Sequence, residues 1–363
     1  MKASNTSCGC KPQCRILKRC FLFFATISIL PFGLIYMLTT NDGSYRITKH
    51  YESENDTFDG THSHRMAQKL FPPEMEEKIE ERMSLRAARL AEKCSYYGLD
   101  VHGNDSLHKP NAWEFLINHK HHLLWCNVFK AASTSWMYNF NVLAGYSPEF
   151  LKKTKLVPLI LARKRYPRPS VEELIEAQNG SITFLIVRHP FERLLSAYRD
   201  KLQFALPHTL HSALGQKIIR KYREKKFQLK PSKYAIRWPI FGEFAEYLID
   251  EYKAGKMLDM HWTPITQFCT PCQVKFDVIA KFETLDEDQQ YLIHKAGLSH
   301  LIAPQWKNSG KGKNTSDLLK KYYSTLTQRQ IREIYEIFKY DFELFGYDPQ
   351  PYFEMAQADN PVE

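Results

Sequence analysis

Phe184-Leu-Ile-Val-Arg188-His-Pro-Phe-Glu-Arg193-Leu-Leu-Ser196-Ala-Tyr198-Arg199-Asp-Lys201 is the stretch from which the rest of the chain is read. Ile182–Val187 is an unbroken apolar run, the pattern of a strand buried on both faces. Pro190 turns the chain, and from Phe191 to Phe204 apolar residues return at helical spacing. A second stretch repeats the plan: Leu124-Trp-Cys-Asn-Val-Phe-Lys130-Ala-Ala-Ser133-Thr134-Ser135-Trp136. There His121–Phe129 reads as a strand and Thr134–Ala144 as the helix after it. Val274–Ala280 reads as a third strand. Helical patterns fill Val171–Gln178, Ser212–Lys226, Phe241–Tyr252, Asp286–Ala296 and Thr327–Phe345. Strands alternating with helices predict an α/β domain, a parallel sheet flanked by helices. Ligands of such sheets sit beyond the carboxyl ends of the strands, at the loops that lead into helices.

Both quoted loops carry phosphate-binding chemistry. In the first, a strand delivers Lys130, two alanines let the backbone turn closely, and Ser133, Thr134 and Ser135 open a helix. Free amides, hydroxyls and a lysine at a helix N-terminus suit a phosphate. The glycines of a nucleotide-triphosphatase loop are missing, and Ser and Thr are also ordinary N-cap residues. In the second, Arg188 ends the strand and Ser196 follows within the helix, so a guanidinium and a hydroxyl can share one phosphate. The alternative for Arg188 is a helix-cap ion pair. Arg193 and Arg199 are expected at the surface or in salt bridges.

The two loops resemble the 5′-phosphosulfate and 3′-phosphate motifs of the membrane-bound carbohydrate sulfotransferases. The similarity is greatest to the family containing the HNK-1 and chondroitin/dermatan 4-O-sulfotransferases. Its first loop reads roughly P-K-V-A-C-T-N-W and its second R-x-P-F-x-R-L-x-S-A-Y-R-x-K. The second is matched here at nearly every position from Arg188 to Lys201. The first departs at Phe129, Ser133 and Ser135 but keeps the lysine, threonine and tryptophan. His261-Trp262, Cys269-x-x-Cys272, Phe276-Asp277-x-x-x-Lys281-Phe282-Glu283-Thr284-Leu285 and Tyr340-Asp341-Phe342-x-x-Phe345-x-Tyr347 resemble further family blocks, in order.

The resemblance implies the sulfotransferase fold, related to nucleotide kinases, and 3′-phosphoadenosine-5′-phosphosulfate (PAPS) as donor. It implies that Lys130 stabilises charge on the leaving oxygen. Ser133, Thr134 and Ser135 would hold the 5′-phosphate, and Arg188 and Ser196 the 3′-phosphate. The acceptor hydroxyl needs a base, for which His261 is the first candidate and Glu283 the rival; Glu283 has an alternative role as a cap or ion-pair partner. No metal is required. Cys269-Thr-Pro-Cys272 has zinc-knuckle spacing, but a single such pair is weak support for metal.

The outer parts of the sequence suggest where this domain sits. The chain has 363 residues, 44% hydrophobic and 25% charged, with a formal charge of +10. That composition excludes wholesale disorder and favours anionic partners. Residues 1–20 form a basic tail with Lys2, Lys11, Arg15, Lys18 and Arg19. Residues 21–38 carry no charge and are long enough to cross a bilayer. A cleaved signal peptide is the other reading of this segment. With positive charge before it and Asp42, Glu52, Glu54, Asp56 and Asp59 after it, the segment predicts a type II signal anchor of the Golgi membrane with a luminal catalytic domain.

Residues 39–108 then read as a luminal stem and 109–363 as the sulfotransferase domain. Within the stem, Glu74–Lys93 has helical periodicity, either self-associating into a homo-oligomer or, as favoured here, packed on the domain. Cys94, Cys126, Cys269 and Cys272 are an even set that suits disulfides in an oxidising lumen, with pairing left open. Cys8, Cys10, Cys14 and Cys20 lie on or beside the tail. Asn55, Asn104, Asn179 and Asn314 head glycan-acceptor sequons. Lys217, Arg220, Lys221, Arg223, Lys225 and Lys226, followed by Lys230, Lys233 and Arg237, form a basic stretch suited to a polyanionic glycosaminoglycan of the chondroitin type. The expected partners are that glycan and the membrane, with no nucleic acid. The alternatives are another acceptor (a heparan uronic acid, a terminal glucuronic acid or protein tyrosine), an inactive polyanion-binding protein and a P-loop kinase. The kinase is disfavoured by the missing glycines.

Overall fold

The structure is a computed structural model and describes residues 71–223, 237–305 and 315–359. Four strands form one sheet in the order β1 (Phe115–Asn118), β2 (Leu123–Cys126), β3 (Ile182–Val187) and β4 (Val278–Lys281). The β2–β3 and β3–β4 pairs are parallel, with Cys126 opposite Leu185 and Val187 opposite Lys281. Their carboxyl ends therefore lie along one edge, where the two quoted loops begin. The flanking helices are α1 (Pro73–Tyr96), α2 (Ser133–Leu143), α3 (Pro190–Tyr198), α4 (Leu210–Tyr222), α5 (Phe241–Lys253), α6 (Leu285–Lys295) and α7 (Gln328–Phe345), with shorter helices between them.

Three expectations need correction. The sheet is mixed, because β1 runs antiparallel to β2 and covers its outer edge. The third strand begins at Val278, not Val274, since Asp277 is used as a cap: its carboxylate accepts the Thr183 backbone N–H at 2.9 Å. The helix expected from Phe191 to Phe204 changes character after Tyr198, and Arg199–Gln203 form a π-helical turn. Such wide turns occur often at functional sites.

Burial explains the sheet. Trp125, Phe184 and Trp136 are fully buried, with the Trp125 and Phe184 rings stacked and Trp136 at 4.6 Å from Phe184. The indole that follows the first loop thus fastens α2 to the strands. A second core forms away from the sheet, where α3, α5 and α7 bring together Phe191, Phe244, Leu248, Ile334 and Phe338. On α1, Ile79, Met83, Leu90 and Cys94 are buried at helical intervals, and the helix packs on β4, α6 and α7. Residues assigned to the stem in sequence thus lie against the sheet from Pro73 onward. Disulfides join Cys94 to Cys272 and Cys126 to Cys269.

Among the described residues no helix is long and apolar enough to cross a membrane. The anchor expected at 21–38, the cysteines of the tail, Asn55, Asn314 and Lys225–Lys233 of the basic stretch lie outside the described residues. Asn104 and Asn179 are exposed.

Candidate active site

The loop after β2 places Lys130. Asn127, fully buried, donates its backbone N–H to Glu114 O, which holds the strand end in place. Lys130 and Ala132 both adopt the left-handed backbone region, at φ 69° and 57°. Non-glycine residues avoid that region, so two in three residues mark a built turn. The turn brings Ala132 to the start of α2, which has no side-chain cap. Ser133 is half-buried there, Thr134 exposed and Ser135 buried. The Lys130 ammonium lies 2.9 Å from Asp200 Oδ2 on the π-helical turn. Burial lowers the pKa of Lys130, against the pull of Asp200, while Lys201 and Arg188 add repulsion.

The loop after β3 places Arg188 against the first loop. Its guanidinium packs 4.2 Å over the Phe282 ring and donates to Lys130 O at 3.4 Å and to Glu192 at 3.2 Å. Its Nε is buried without a partner. The loops that follow β2, β3 and β4 therefore meet at Arg188. Ser196, partly exposed, lies farther along α3, and no described hydrogen bond joins it to Arg188.

Arg193 corrects the sequence expectation of a surface residue: it is 2% exposed. It donates to Phe129 O at 3.3 Å, His261 O at 3.4 Å and Thr263 O, so it ties the Lys130 loop to the His261 turn. Burial lowers its pKa to about 10, with the Asp341 carboxylate opposing. The turn it holds belongs to a carboxylate and two histidines. His261 Nδ1 lies 2.6 Å from Asp259 Oδ1, and His211 Nε2 lies 3.1 Å from Asp259 Oδ2. The His261 ring sits 5.0 Å from the ring of Phe129, the residue before Lys130. Burial lowers the His261 pKa, while Asp259 resists that shift.

Glu283 is placed differently. One carboxylate oxygen accepts the His189 backbone N–H at 2.8 Å, and the other accepts the Tyr347 hydroxyl at 2.9 Å. It caps the entry to α3 and links it to the chain after α7, a structural role, though not at the following helix, where the sequence suggested a cap. Lys130, Arg188, Ser133–Ser135 and His261 thus come together. Asp200, Asp259 and His211 were missed, and Arg193, though part of the matched motif, was placed at the surface; the Asp-x-His spacing before Trp262 was the sequence signal for Asp259.

A cavity of about 250 Å³ lies elsewhere, between α1, β4 and the end of α7. Its three arginines are already engaged: Arg82 and Arg86 pair with Asp288, and Arg89 donates to Glu343 O, while the Lys281 ammonium lies 4.3 Å from the Tyr347 ring centroid. Two residues of the basic stretch are likewise committed internally, Lys221 to Asp250 and Arg223 to Glu243. Lys217 and Arg220 are exposed.

A model of the sulfotransferase family matches residues 113–348, a span that holds all three loops and the His261 turn. Carbohydrate sulfotransferase 11 of Rattus norvegicus is 31% identical over 255 residues, 68% of this chain and 70% of its own length. Carbohydrate sulfotransferase 10 of Xenopus laevis is 30% identical over 276 residues, 72% of this chain and 75% of its own. Carbohydrate sulfotransferase 14 of Danio rerio is 31% identical over 235 residues, 64% of this chain and 61% of its own. No solved structure matches the chain. The chain belongs to the carbohydrate sulfotransferases.

Proposed function

We propose that this sulfotransferase uses PAPS and transfers its sulfuryl group to a sugar hydroxyl of a chondroitin/dermatan-type glycan. The observation that carries the reading is the meeting of the two loops, with Arg188 donating to the Lys130 carbonyl at 3.4 Å. The donor carries a phosphosulfate at one end and a 3′-phosphate near the other, and each loop suits one of them. Three features fit such a ligand: the uncapped start of α2, the buried unpartnered Nε of Arg188 and the half-buried Lys130 ammonium.

In the reaction the acceptor oxygen attacks sulfur in line and the bond from sulfur to the bridging phosphate oxygen breaks. Lys130 faces the charge that builds on that oxygen; such electrostatic help is strongest in a dry site. Ser133, Thr134 and Ser135 hold the 5′-phosphate. Arg188 and Ser196 hold the 3′-phosphate, with Arg188 exchanging Glu192 for the ligand. His261 takes the acceptor proton; Glu283, with both oxygens already accepting hydrogen bonds, is the weaker candidate. The scheme itself requires no metal.

The uncharged segment 21–38 and the sequons support a type II membrane protein of the Golgi with the described domain in the lumen. The exposed Lys217 and Arg220 support a polyanionic acceptor.

Calorimetry of the full chain with adenosine 3′,5′-bisphosphate tests the donor. Arg188→Ala and Ser196→Ala are each expected to weaken binding by about tenfold or more, from a lost charge-assisted bond worth about 1.5–3 kcal/mol. Unchanged affinity in folded variants refutes the assignment. Labelled donor offered with a panel of desulfated glycosaminoglycans then reads the acceptor, and transfer to none of them refutes the chondroitin/dermatan reading.

A further inference from the structure

The His261 ring is gripped at one nitrogen by a residue that the family motifs quoted above do not include. Asp259 Oδ1 lies 2.6 Å from His261 Nδ1 and also accepts the His261 backbone N–H at 2.9 Å. The turn that carries both is closed by its own bonds: Trp262 and Thr263 each donate a backbone N–H to Asp259 O, both at 2.9 Å. The Thr263 hydroxyl donates to the same carbonyl at 3.0 Å. We propose that Asp259 is a positioning residue for sulfuryl transfer, fixing the His261 tautomer with its proton on Nδ1 and Nε2 free to act as the base. The inference rests on the reading of His261 as that base.

The chemistry of the pair leads to this assignment. An ionised carboxylate only accepts hydrogen bonds, so a ring nitrogen held at this distance must carry the proton. Burial works to raise the Asp259 pKa, but hydrogen bonds from His211 and His261 outweigh it and hold the carboxyl well below the usual range. Asp259 is therefore a standing negative charge. During transfer the acceptor O–H proton passes to His261 Nε2 as the new oxygen–sulfur bond forms. The old sulfur–oxygen bond breaks, and its electron pair leaves on the bisphosphate. His261 becomes an imidazolium at that moment.

The groups facing that ring are mostly cationic or neutral. Lys201 comes from the π-helical turn, His211 from α4, and Arg193 from α3 through the His261 carbonyl. Tyr247 on α5 lies near Asp259. Asp259 is thus the counter-charge that opposes burial and eases proton uptake. His211, on the second carboxylate oxygen, fixes the rotation of the Asp259 side chain. The ligand atoms of His211, Asp259 and His261 lie within 4.8 Å of one another, so a divalent cation is the competing occupant of the cluster. Such a cation would take the Nδ1 position and leave no proton there.

The test compares full-length wild type, Asp259→Asn, His261→Ala and the double variant. Bisphosphate affinity reports folding of the donor site, while kcat and the acceptor KM are followed against pH. Asp259→Asn is expected to keep bisphosphate affinity within about threefold and to lower kcat by about 10²–10⁴-fold, the range of general-base catalysis. The acid limb of its profile should move to lower pH, since the imidazolium has lost its counter-charge. The double variant should be no slower than His261→Ala alone, as expected for residues acting as one unit. An Asp259→Asn enzyme with wild-type kcat and an unmoved acid limb overturns the inference and leaves His261 as base. Full activity in His261→Ala removes base and positioning residue together. Loss of bisphosphate affinity in Asp259→Asn overturns it in favour of a structural role. Stoichiometric zinc in the wild type, lost in Asp259→Asn, overturns it in favour of a metal site.

Discussion

Lys130 is held by a strained backbone and by Asp200, and the two constraints separate its binding role from its chemical one. The ammonium is half-buried and already paired at 2.9 Å, so a donor gains little net affinity by replacing one anionic partner with another. In the proposed reaction its contribution is to the charge that appears during transfer. Lys130→Ala is expected to leave bisphosphate affinity within about tenfold while turnover falls a few hundredfold, the effect of losing one oxyanion-type contact. Arginine should rescue poorly, because a planar fork does not reproduce a compact ammonium at one oxygen. A collapse of affinity with turnover intact would make Lys130 only an anchor. Arg193 gives the second prediction at this scale. Arg193→Ala leaves three main-chain carbonyls and the buried Asp341 without their cation, and stability to urea should fall by about 3–5 kcal/mol. Lysine should restore little, having no fork to span Phe129, His261 and Thr263. Lys130 and Arg188 were legible in the sequence because each follows an apolar strand, Arg188 directly after Val187 and Lys130 in the loop after Cys126, where the strand expected to reach Phe129 stops. Arg193 was not: its burial depends on carbonyls from two distant segments, and a motif cannot show which face of a helix they will cover.

Among the elements, the cysteines show where local reading stops. An even count on the sequence side predicted disulfides, but Cys269 and Cys272 bond to different partners rather than to each other. Cys269 lies at the end of a short helix that reaches β2, while Cys272, three residues on, faces α1. Non-reducing mass mapping should find Cys94 linked to Cys272 and Cys126 to Cys269, with no zinc. Free thiols with bound zinc would contradict both. Replacing the Cys126–Cys269 pair by alanines should lower stability by about 2–5 kcal/mol. The parallel strands were legible because buried runs have no alternation to misread. β1 was missed because only Phe115–Ile117 are apolar there, between Glu114 and Asn118, and the segment becomes a strand by pairing with β2. The π-helical turn was hidden as well, since its apolar spacing continues that of α3 while its hydrogen bonds do not.

At the scale of the whole molecule, the proposed base His261 is tuned by the elements packed around it. Burial pulls the His261 pKa below its ordinary 6.5, so the neutral form persists into mildly acidic solution. Transfer should therefore hold as the pH drops through 6.5 and decline only when His261 takes up a proton. A pH profile of kcat with saturating donor measures this, and an acid limb centred above 6.5 would contradict it. The arrangement of loops along one sheet edge was readable from the chain, whereas the packing of Pro73–Tyr96 on β4 needed the folded partners. The two disulfides also impose an order on the making of the protein. Their sequence separations are 178 and 143 residues. At about 5–20 residues per second, a ribosome needs roughly 7–30 s to add even the shorter span. Throughout that interval the native partners of Cys94 and Cys126 have not yet been made, so any disulfide that either forms then is a wrong one. Faithful production depends on delaying oxidation or on an isomerase that undoes the early pairing.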